Sequence, residues 1–243
     1  MKIVKKPILK ILTPRKELLN QFLRIERSGR TCYQSFTGPI TKESATKFVK
    51  MIVSLGHESV IEHSSMTVGF YGVSRGFTHE MVRHRLASYS QESTRYVDYA
   101  KGEDSPNLDR FQMEMVLPPH QNIKQEIDLG DGRKMTPVAM AHELELLYRS
   151  LRKAGWLPED ARQFLPNGVV ADIVVTANFR EWRHIMKMRT QKAAHWEIRQ
   201  VMNELLEKVK QIVPIIFDDF TQLGVDRNGL AYYGTVPKEV KIT

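Results

Sequence analysis

The chain has 243 residues, of which 42% are hydrophobic, so it can bury a large core without disulfides or structural metals. The single cysteine excludes an internal disulfide. No stretch approaches the ~18 apolar residues of a membrane span, and the charged start lacks the apolar run of a signal peptide. We therefore expect a cytoplasmic protein without a membrane partner. Thirty-six Lys and Arg against 28 Asp and Glu give a net charge of +8, which favours anionic partners, either nucleic acid or small phosphorylated ligands.

The N-terminal part of the sequence predicts helices with one intervening strand. Apolar residues recur at helical spacing over residues 15–27 and again after Thr41, where Gly56 ends the second helix. Residues 65–73 alternate between apolar and polar side chains, which predicts a half-buried strand. Ser74 is typical of a helix cap, and the helix that follows is predicted to run to about Leu86.

The rest of the chain is also predicted to be mainly helical. Residues 98–137 are irregular, with a hairpin turn predicted at Asp131-Gly132, and are interpreted as a surface insertion. The β-branched run 169–176 predicts a buried strand, although the pattern also fits a helix end. No repeat or linker divides the chain, so we expect one domain over residues 1–243, of the α+β class with helices dominant. The predicted helices cover residues 137–153, a segment from Pro158, a segment from Asn178 toward Arg189, and about 193–212.

The densest polar stretch runs from Arg83 to Arg95. It begins with Arg83-His84-Arg85 at the predicted end of a helix, and a hydroxyl-rich loop follows. Arginine forks and serine hydroxyls suit the oxygens of a phosphorylated ligand. Basic residues near a helix C-terminus are also favoured by the helix dipole alone. Composition therefore leaves a ligand site and an ordinary surface equally open.

As a pattern, the same stretch is specific. Arg-His-Arg at 83–85, followed by seven residues and then Ser93, resembles the signature of the flavin-dependent thymidylate synthases. The resemblance covers about residues 30–215, and it continues in several separate segments. These are Gly56-His57-Glu58-Ser59, Ala161-Arg162, Asn178 with Arg180, Met188-Arg189 and Trp196-Glu197-Ile198-Arg199.

The resemblance implies a mainly antiparallel sheet among the helices and a homotetramer with active sites at subunit interfaces. It also implies FAD as cofactor, with NADPH and 5,10-methylenetetrahydrofolate as co-substrates. The implied reaction converts dUMP to dTMP: the folate donates a methylene group to C5 of the uracil, and the reduced flavin turns it into a methyl group. Nucleic acid is not an expected partner of such an enzyme.

The resemblance also assigns roles to individual residues. Arg189 corresponds to the arginine that activates the uracil, and His57 to a histidine near flavin and folate. The residues implied at FAD are Ser59, Arg83, His84, Arg85, Gln91, Asn178, Arg180 and His184. The residues implied at dUMP are Glu80, Arg83, Gln91, Ser93, Arg95, Arg162 and Arg189.

Other candidate residues carry no chemistry in this interpretation. Cys32 lies outside the signature and is predicted to be a small buried residue. The histidine pairs His57/His63 and His79/His84 lack the spacing that puts two ligands on one helical face, so no metal site is expected.

The sequence departs from the family pattern in three places. Glu80 stands where the family usually has Gln, and Gln91 where it usually has Glu, so we hypothesise that the two still hydrogen-bond to each other. Ala193 replaces a histidine, and His195 follows two residues later. The departures keep open the alternative of a relative that binds flavin or nucleotide without catalysis. The basic charge and the aromatic residues keep open a second one, a nucleic-acid-binding module that stacks bases on Tyr89, Tyr96 and Tyr99.

Overall fold

The computed structural model of the chain describes residues 1–97 and 112–236. In these ranges the helices are α1 Arg15–Tyr33, α2 Lys42–Ser54, α3 Arg75–Met81, α4 Pro137–Lys153, α5 Pro158–Ala161, α6 Phe179–Arg189, α7 Trp196–Ile212 and α8 Pro214–Phe217. The strands are β1 Lys2–Ile3, β2 Ile8–Ile11, β3 Met66–Tyr71, β4 Ala87–Gln91, β5 Glu114–Met115, β6 Ile127–Asp128, β7 Lys134–Met135, β8 Ile173–Ala177, β9 Phe220–Val225 and β10 Ala231–Thr235. No helix within the described ranges combines the length and the apolar character that crossing a bilayer requires.

Strands β2, β3, β8 and β4 form one four-stranded sheet in that order. Three two-stranded pairs accompany it: β1 runs parallel to β5, whereas β6–β7 and β9–β10 are antiparallel hairpins. The predicted fold class, helix-rich α+β with mainly antiparallel strands, is confirmed. The β6–β7 hairpin also confirms the turn predicted at Asp131-Gly132, whereas β1, β2 and the β9–β10 hairpin were not predicted.

Helix α1 runs six residues further than the predicted end at Arg27. Gly29 lies inside it, and a Cβ at that position would collide with the ring of Phe48 on α2. The glycine, which in sequence is typical of a helix end, therefore permits close packing of two helices. The helix ends instead at Gln34, which adopts a left-handed conformation with φ of 49° and donates its backbone N–H to the last carbonyls.

Helix α3 is shorter than predicted. The Ser74 side chain caps it by accepting from the backbone N–H of Phe77 at 3.0 Å, as expected. It ends at Met81, however, and not near Leu86. The Tyr89 hydroxyl hydrogen-bonds to the carbonyls of Met81 and His84 at 2.9 and 2.5 Å, which satisfies acceptors at this helix end. The Arg83-His84-Arg85 segment consequently lies in a turn before β4, and its predicted place at the end of a helix is wrong.

The later elements lie close to their predicted positions. Helix α4 has the predicted bounds. The run 169–176 contributes strand β8, so the alternative of a helix end is wrong. The segment from Pro158 forms only a single turn, α5, and a 3-10 helix over Arg162–Phe164 continues it.

Contacts divide the chain into two compact units, neither of which is one continuous stretch. The first unit comprises Met1–Ile8, Phe70–Glu80 and Ser90–Ile173. Its core packs α4 and α5 on strand β5. The buried side chains of this core are Met113, Met115, Ala141, Tyr148, Ala161 and Val169.

The second unit comprises Leu9–Gly69, Met81–Tyr89 and Val174–Thr243. It holds the long helices α1, α2, α6 and α7 and most of the four-stranded sheet. Trp182 of α6 is fully buried, and its indole N–H donates to the carbonyl of Met66 at 2.8 Å. Phe179 of the same helix meets Phe22 of α1 edge to face, with ring centroids 6.5 Å apart. Packing and a buried hydrogen bond therefore anchor the first turn of α6 in this core.

Candidate active site

In the second unit, α6 carries polar residues from its first turn to its last. Asn178 caps the helix: its side chain accepts from the backbone N–H of Glu181 at 2.8 Å, which confirms the predicted cap. His184 is exposed in the middle of the helix, and Arg189 is its last residue. The buried packing of Trp182 and Phe179 fixes the direction in which these polar side chains point.

His84 and Arg189, 105 positions apart in the sequence, form a hydrogen bond. The Arg189 Nε donates to His84 Nε2 over 2.9 Å. The His84 side chain is buried, and the ring of His184 lies 5.6 Å from it. Burial lowers the pKa of His84 to about 4, with help from the positive charges of Arg189 and His184. His84 is therefore a neutral imidazole at neutral pH and can accept the proton that Arg189 offers.

Two residues that the sequence did not assign to the site complete what we call the His84 cluster, formed by His84, Tyr89, Glu181, His184 and Arg189. The Glu181 carboxylate is 5% exposed and lies 3.7 Å from His84 Nδ1. Burial raises the pKa of this carboxyl group. Burial also raises the pKa of Tyr89 to about 12, so the phenol stays protonated and donates its hydrogen bonds.

A second group of polar residues in the second unit surrounds a 3-10 helix, Glu58–Glu62, which carries Ser59. His57 precedes this helix and hydrogen-bonds through Nδ1 to the hydroxyl of Tyr33, 2.8 Å away. Arg180 of α6 pairs with Glu62 at 2.6 Å on the surface. Arg183, next along α6, reaches Glu58 at 2.9 Å. The segment that holds His57 and Ser59 is thus tied to α1 on one side and to α6 on the other.

Arg183 is the buried counterpart of the exposed Arg180. Its two terminal nitrogens bond both oxygens of Asp219 at 2.7 Å, and its Nε bonds Glu58. These carboxylates raise the pKa of the guanidinium despite the opposing effect of burial. The charge is therefore paired on two sides, as a buried charge requires.

The first unit contains a separate group of polar residues. We call it the Arg162 cluster, and it comprises Thr94, Arg95, Glu159 and Arg162. Arg162 donates to the Thr94 hydroxyl at 3.3 Å and to the carbonyl of Glu159 at 3.2 Å. Arg95 forms an exposed ion pair with the Glu159 carboxylate at 2.8 Å. Ser93 turns back on this loop, where its hydroxyl accepts from the backbone N–H of Arg95. Three residues implied at dUMP are thus brought together.

A cavity of about 380 Å³ opens beside this cluster. Arg75, His79, Thr94 and Arg162 line it together with backbone around Pro166 and Asn167. None of the lining residues within the described ranges is acidic. The concentration of cationic and hydroxyl groups suits an anion such as a phosphate ester.

Gln91 hydrogen-bonds to a residue of α3. Its amide nitrogen donates to the hydroxyl of Thr78 on that helix, at 2.9 Å. Both residues are in the first unit, and Glu80 is half-buried on α3. The hypothesised hydrogen bond between Gln91 and Glu80 stays a prediction, and Thr78 is a partner of Gln91 that the sequence did not predict.

Comparison with known proteins identifies the family. Residues 17–215 match the family described as thymidylate synthase complementing protein. The chain belongs to this family. It is 36% identical over 197 residues to the flavin-dependent thymidylate synthase of Geobacter sulfurreducens, which covers 79% of this chain and 78% of that one. It is 35% identical over 206 residues to the enzyme of that name in Mycobacterium avium, with 81% and 78% covered.

Solved structures of similar fold agree with this assignment. Thymidylate synthase X from Helicobacter pylori, solved with FAD and dUMP, gives a TM-score of 0.65 at 21% identity and covers 88% of this chain and 98% of that one. The UMP/dUMP methylase PolB from Streptomyces cacaoi, solved with 5-Br dUMP, gives 0.66 at 19% identity, with 90% and 96% covered. At these identities the likeness supports the fold of the thymidylate synthase complementing proteins.

Several residues of this family member lie where the sequence did not predict. Cys32 is exposed on α1, so its predicted burial is wrong. Arg83 and Arg85 are exposed on the turn before β4, on either side of the buried His84. His195 caps α7 through its backbone position, with its ring 5.3 Å from that of Trp196.

The remaining sequence predictions concern metals and base stacking. Among the described residues, no three His, Cys, Asp or Glu side chains come together as a metal site requires. Tyr96 is exposed beside the Arg95 guanidinium, 5.4 Å from the ring centroid. Tyr99, the third tyrosine of the nucleic-acid alternative, lies outside the described residues, as does part of the predicted insertion 98–137.

Missed residues left only weak signals in the sequence. Glu181 is the fourth residue of Asn178-Phe179-Arg180-Glu181, a pattern that predicts a helix cap and nothing more. Arg75 follows the helix cap Ser74, where a basic residue is ordinary. Only the fold turns the Glu181 side chain toward His84 and the Arg75 side chain toward the cavity.

Proposed function

We propose that the chain converts dUMP to dTMP, with 5,10-methylenetetrahydrofolate as carbon donor and NADPH-reduced FAD as hydride source. The observation that carries this proposal is the 2.9 Å hydrogen bond from Arg189 to His84. It joins the histidine of the Arg-His-Arg signature to the arginine expected at the uracil. Membership of the thymidylate synthase complementing proteins supplies the reaction class.

Arg189 is the residue we assign to activation of the substrate. A guanidinium against the uracil ring stabilises the negative charge that develops on N3 and the carbonyl oxygens as C5 becomes nucleophilic. Arginine keeps its charge at every relevant pH. Because His84 is neutral, its hydrogen bond with Arg189 does not cancel the positive charge of the guanidinium.

The Arg162 cluster is assigned to the 5′-phosphate of dUMP. Arg95 and Arg162 offer charge-assisted hydrogen bonds, and Ser93 lies on the same loop. A phosphate dianion competes with the Glu159 carboxylate for Arg95. We assign Ser93 to binding and not to nucleophilic attack, because its hydroxyl accepts from a backbone N–H and the reaction needs no enzyme nucleophile.

FAD fits the residues of the second unit that the family pattern assigns to it. Arg83, Arg85 and Arg180 are exposed cations that suit a pyrophosphate, Ser59 is an exposed hydroxyl, and Asn178 begins a helix whose N-terminus favours anions. His57 lies beside Ser59 and is assigned to the vicinity of flavin and folate. When bound, FAD reduced by NADPH supplies the hydride that completes the methyl group. Homotetramerisation, with active sites at subunit interfaces, is part of the proposal.

The test is turnover of dUMP by purified wild-type protein and by Arg189→Ala, together with a visible spectrum. We expect a flavin absorption band that bleaches with NADPH in both proteins, and dTMP formation only in the wild type. Arg24→Ala, which removes an exposed arginine of α1, serves as the matched control and should keep its turnover.

Two results would contradict the proposal. Near-normal turnover by Arg189→Ala would remove the assigned role of that residue. A wild-type protein that takes up no flavin after incubation with FAD would remove the reaction itself. Light scattering on the same sample measures the mass, and a monomer with full activity would exclude active sites shared between subunits.

A further inference from the structure

We infer that Glu181 is a positioning residue that acts through His84 to orient the guanidinium of Arg189. The inference rests on the proposed role of Arg189 and goes beyond it, because it adds a buried carboxylate as a second support behind the activating arginine. The juxtaposition is direct: Glu181 lies on one side of the His84 ring, and Arg189 on the other.

The chemistry of the three groups determines where the imidazole proton lies. Arginine has no acceptor, so the Arg189 Nε–H must donate to a lone pair on His84 Nε2. A neutral imidazole has one N–H, which must then be on Nδ1. The Glu181 carboxylate faces this atom at 3.7 Å. Glu181 thus favours the one tautomer of His84 that can accept from Arg189.

The surroundings hold the imidazole in this orientation. The Tyr89 hydroxyl donates to the backbone carbonyl of His84, and the ring of His184 packs edge to face on the His84 ring. His84 and Glu181 are both more than nine-tenths buried. Because the bond from Arg189 uses Nε, it fixes the plane of the guanidinium.

A purely structural role for Glu181 makes a different prediction. An acidic residue in the first turn of α6 is favoured by the helix dipole, whatever lies beside it. That role requires the negative charge of Glu181, and losing it would lower stability without a specific fall in kcat. The positioning role needs an acceptor facing His84 Nδ1. A glutamine retains an acceptor but no charge, so Glu181→Gln separates the two roles.

The experiment measures dTMP formation by Glu181→Ala, Glu181→Gln and the double variant Glu181→Ala/Arg189→Ala, beside Arg189→Ala. We expect kcat of Glu181→Ala to fall about 10–100-fold, the range for loss of a group that supports a functional residue from behind, with the KM for dUMP within about twofold. Glu181→Gln should recover most of that loss. The double variant should be no slower than Arg189→Ala alone, because Glu181 acts only through Arg189.

Glu26→Gln is the matched control. Glu26 is equally buried in the second unit, but its partners are Arg30 and Ser44, so its loss should leave kcat unchanged. If Glu181→Ala does not fold, Glu181→Asp replaces it, since it keeps the charge and withdraws the oxygens from Nδ1; its kcat should fall at unchanged KM.

The outcomes distinguish the two claims. An inactive Arg189→Ala with a fully active Glu181→Ala overturns the inference and leaves the proposed function intact. An active Arg189→Ala overturns the proposed role of Arg189 first. Equal losses of kcat in Glu181→Gln and Glu181→Ala, with parallel losses of thermal stability, would assign Glu181 a structural role.

Discussion

The His84 cluster and the Arg162 cluster use arginine in opposite ways. In the first, Arg189 contacts a buried imidazole whose pKa is shifted by its surroundings. In the second, Arg95 forms an ion pair whose two side chains are 57% and 40% exposed. Buried charges are expensive to leave unpaired, so they set geometry and protonation; exposed charges are screened and remain available to a ligand. The buried arrangement in the His84 cluster therefore suits orientation of a reacting ring, and the exposed arrangement at Arg95 suits capture of an anion.

The largest expected effect comes from breaking the ion pairs of a buried charge. Arg183→Met leaves Asp219 and Glu58 without their shared partner. Removing one side of a buried ion pair costs about 3–5 kcal/mol, so the free energy of unfolding should fall by that amount in a urea titration. Arg180→Met, which breaks only the surface pair with Glu62, should cost at most ~1 kcal/mol. Equal losses in the two variants would contradict the contrast between buried and exposed charge.

The second effect is a pH dependence that originates at His84. Its pKa falls from 6.5 in the unfolded chain to about 4 in the fold, so the unfolded state binds a proton more readily. The contribution of neutral His84 to the free energy of unfolding is therefore fully present above about pH 6.5, and it is lost progressively as the pH falls toward 4. The loss should be of the order of 3 kcal/mol. His84→Asn should flatten this part of a stability-versus-pH curve; an unchanged slope in this variant would assign the effect elsewhere.

The third prediction concerns the Arg162 cluster and follows from the proposed binding of dUMP. Arg162→Ala removes a charge-assisted hydrogen bond to the phosphate, which should raise the KM for dUMP about tenfold or more while kcat changes less. Raising the salt concentration should weaken dUMP binding in the wild type and less so in the variant. A fall in kcat at unchanged KM would show that Arg162 does not bind substrate. Arg133→Ala, on the exposed β6–β7 hairpin, is the control.

The smallest expected effect tests whether Glu159 competes with the phosphate of dUMP for Arg95. Glu159→Gln removes the carboxylate that pairs with this arginine. Because an exposed pair is worth about 0–1 kcal/mol, the KM for dUMP should fall by no more than about fivefold, with stability nearly unchanged. A higher KM would mean that Glu159 holds Arg95 in place for the phosphate and does not compete with it.

Local signals in the sequence predicted much of the fold. The apolar spacing of α4, the cap of α6 by Asn178 and the turn at Asp131-Gly132 each depend on a few neighbouring residues, and all three are confirmed. The end of α1 was not predictable from apolar spacing, because the helix continues through Gly29, whose packing partner Phe48 lies on another helix. Cys32 misled because small apolar residues are usually buried, and nothing local reveals which side of α1 faces solvent.

The candidate site was predictable only as far as a family pattern reaches. His84 and Arg189 lie in matched segments, but their hydrogen bond spans 105 positions and depends on the packing of α6. The position of Glu181 behind His84 has no sequence signal, because its spacing to Asn178 is explained by capping. The hydrogen bond of Gln91 to Thr78 of α3 was not predictable for a similar reason, because periodicity alone does not show which residues of a helix face a neighbouring strand.

Helix α6 has one further consequence, which concerns its length. The helix has eleven residues. It begins directly after the cap Asn178, includes the buried Arg183 near its middle, and ends at Arg189. Adding or removing one residue in the helix rotates everything beyond it by about 100° and shifts it by about 1.5 Å along the axis. Such a change would turn Arg189 away from His84, even though every side chain was still present. Insertions and deletions should therefore be excluded from residues 178–190, whereas the β6–β7 hairpin tip can change in length.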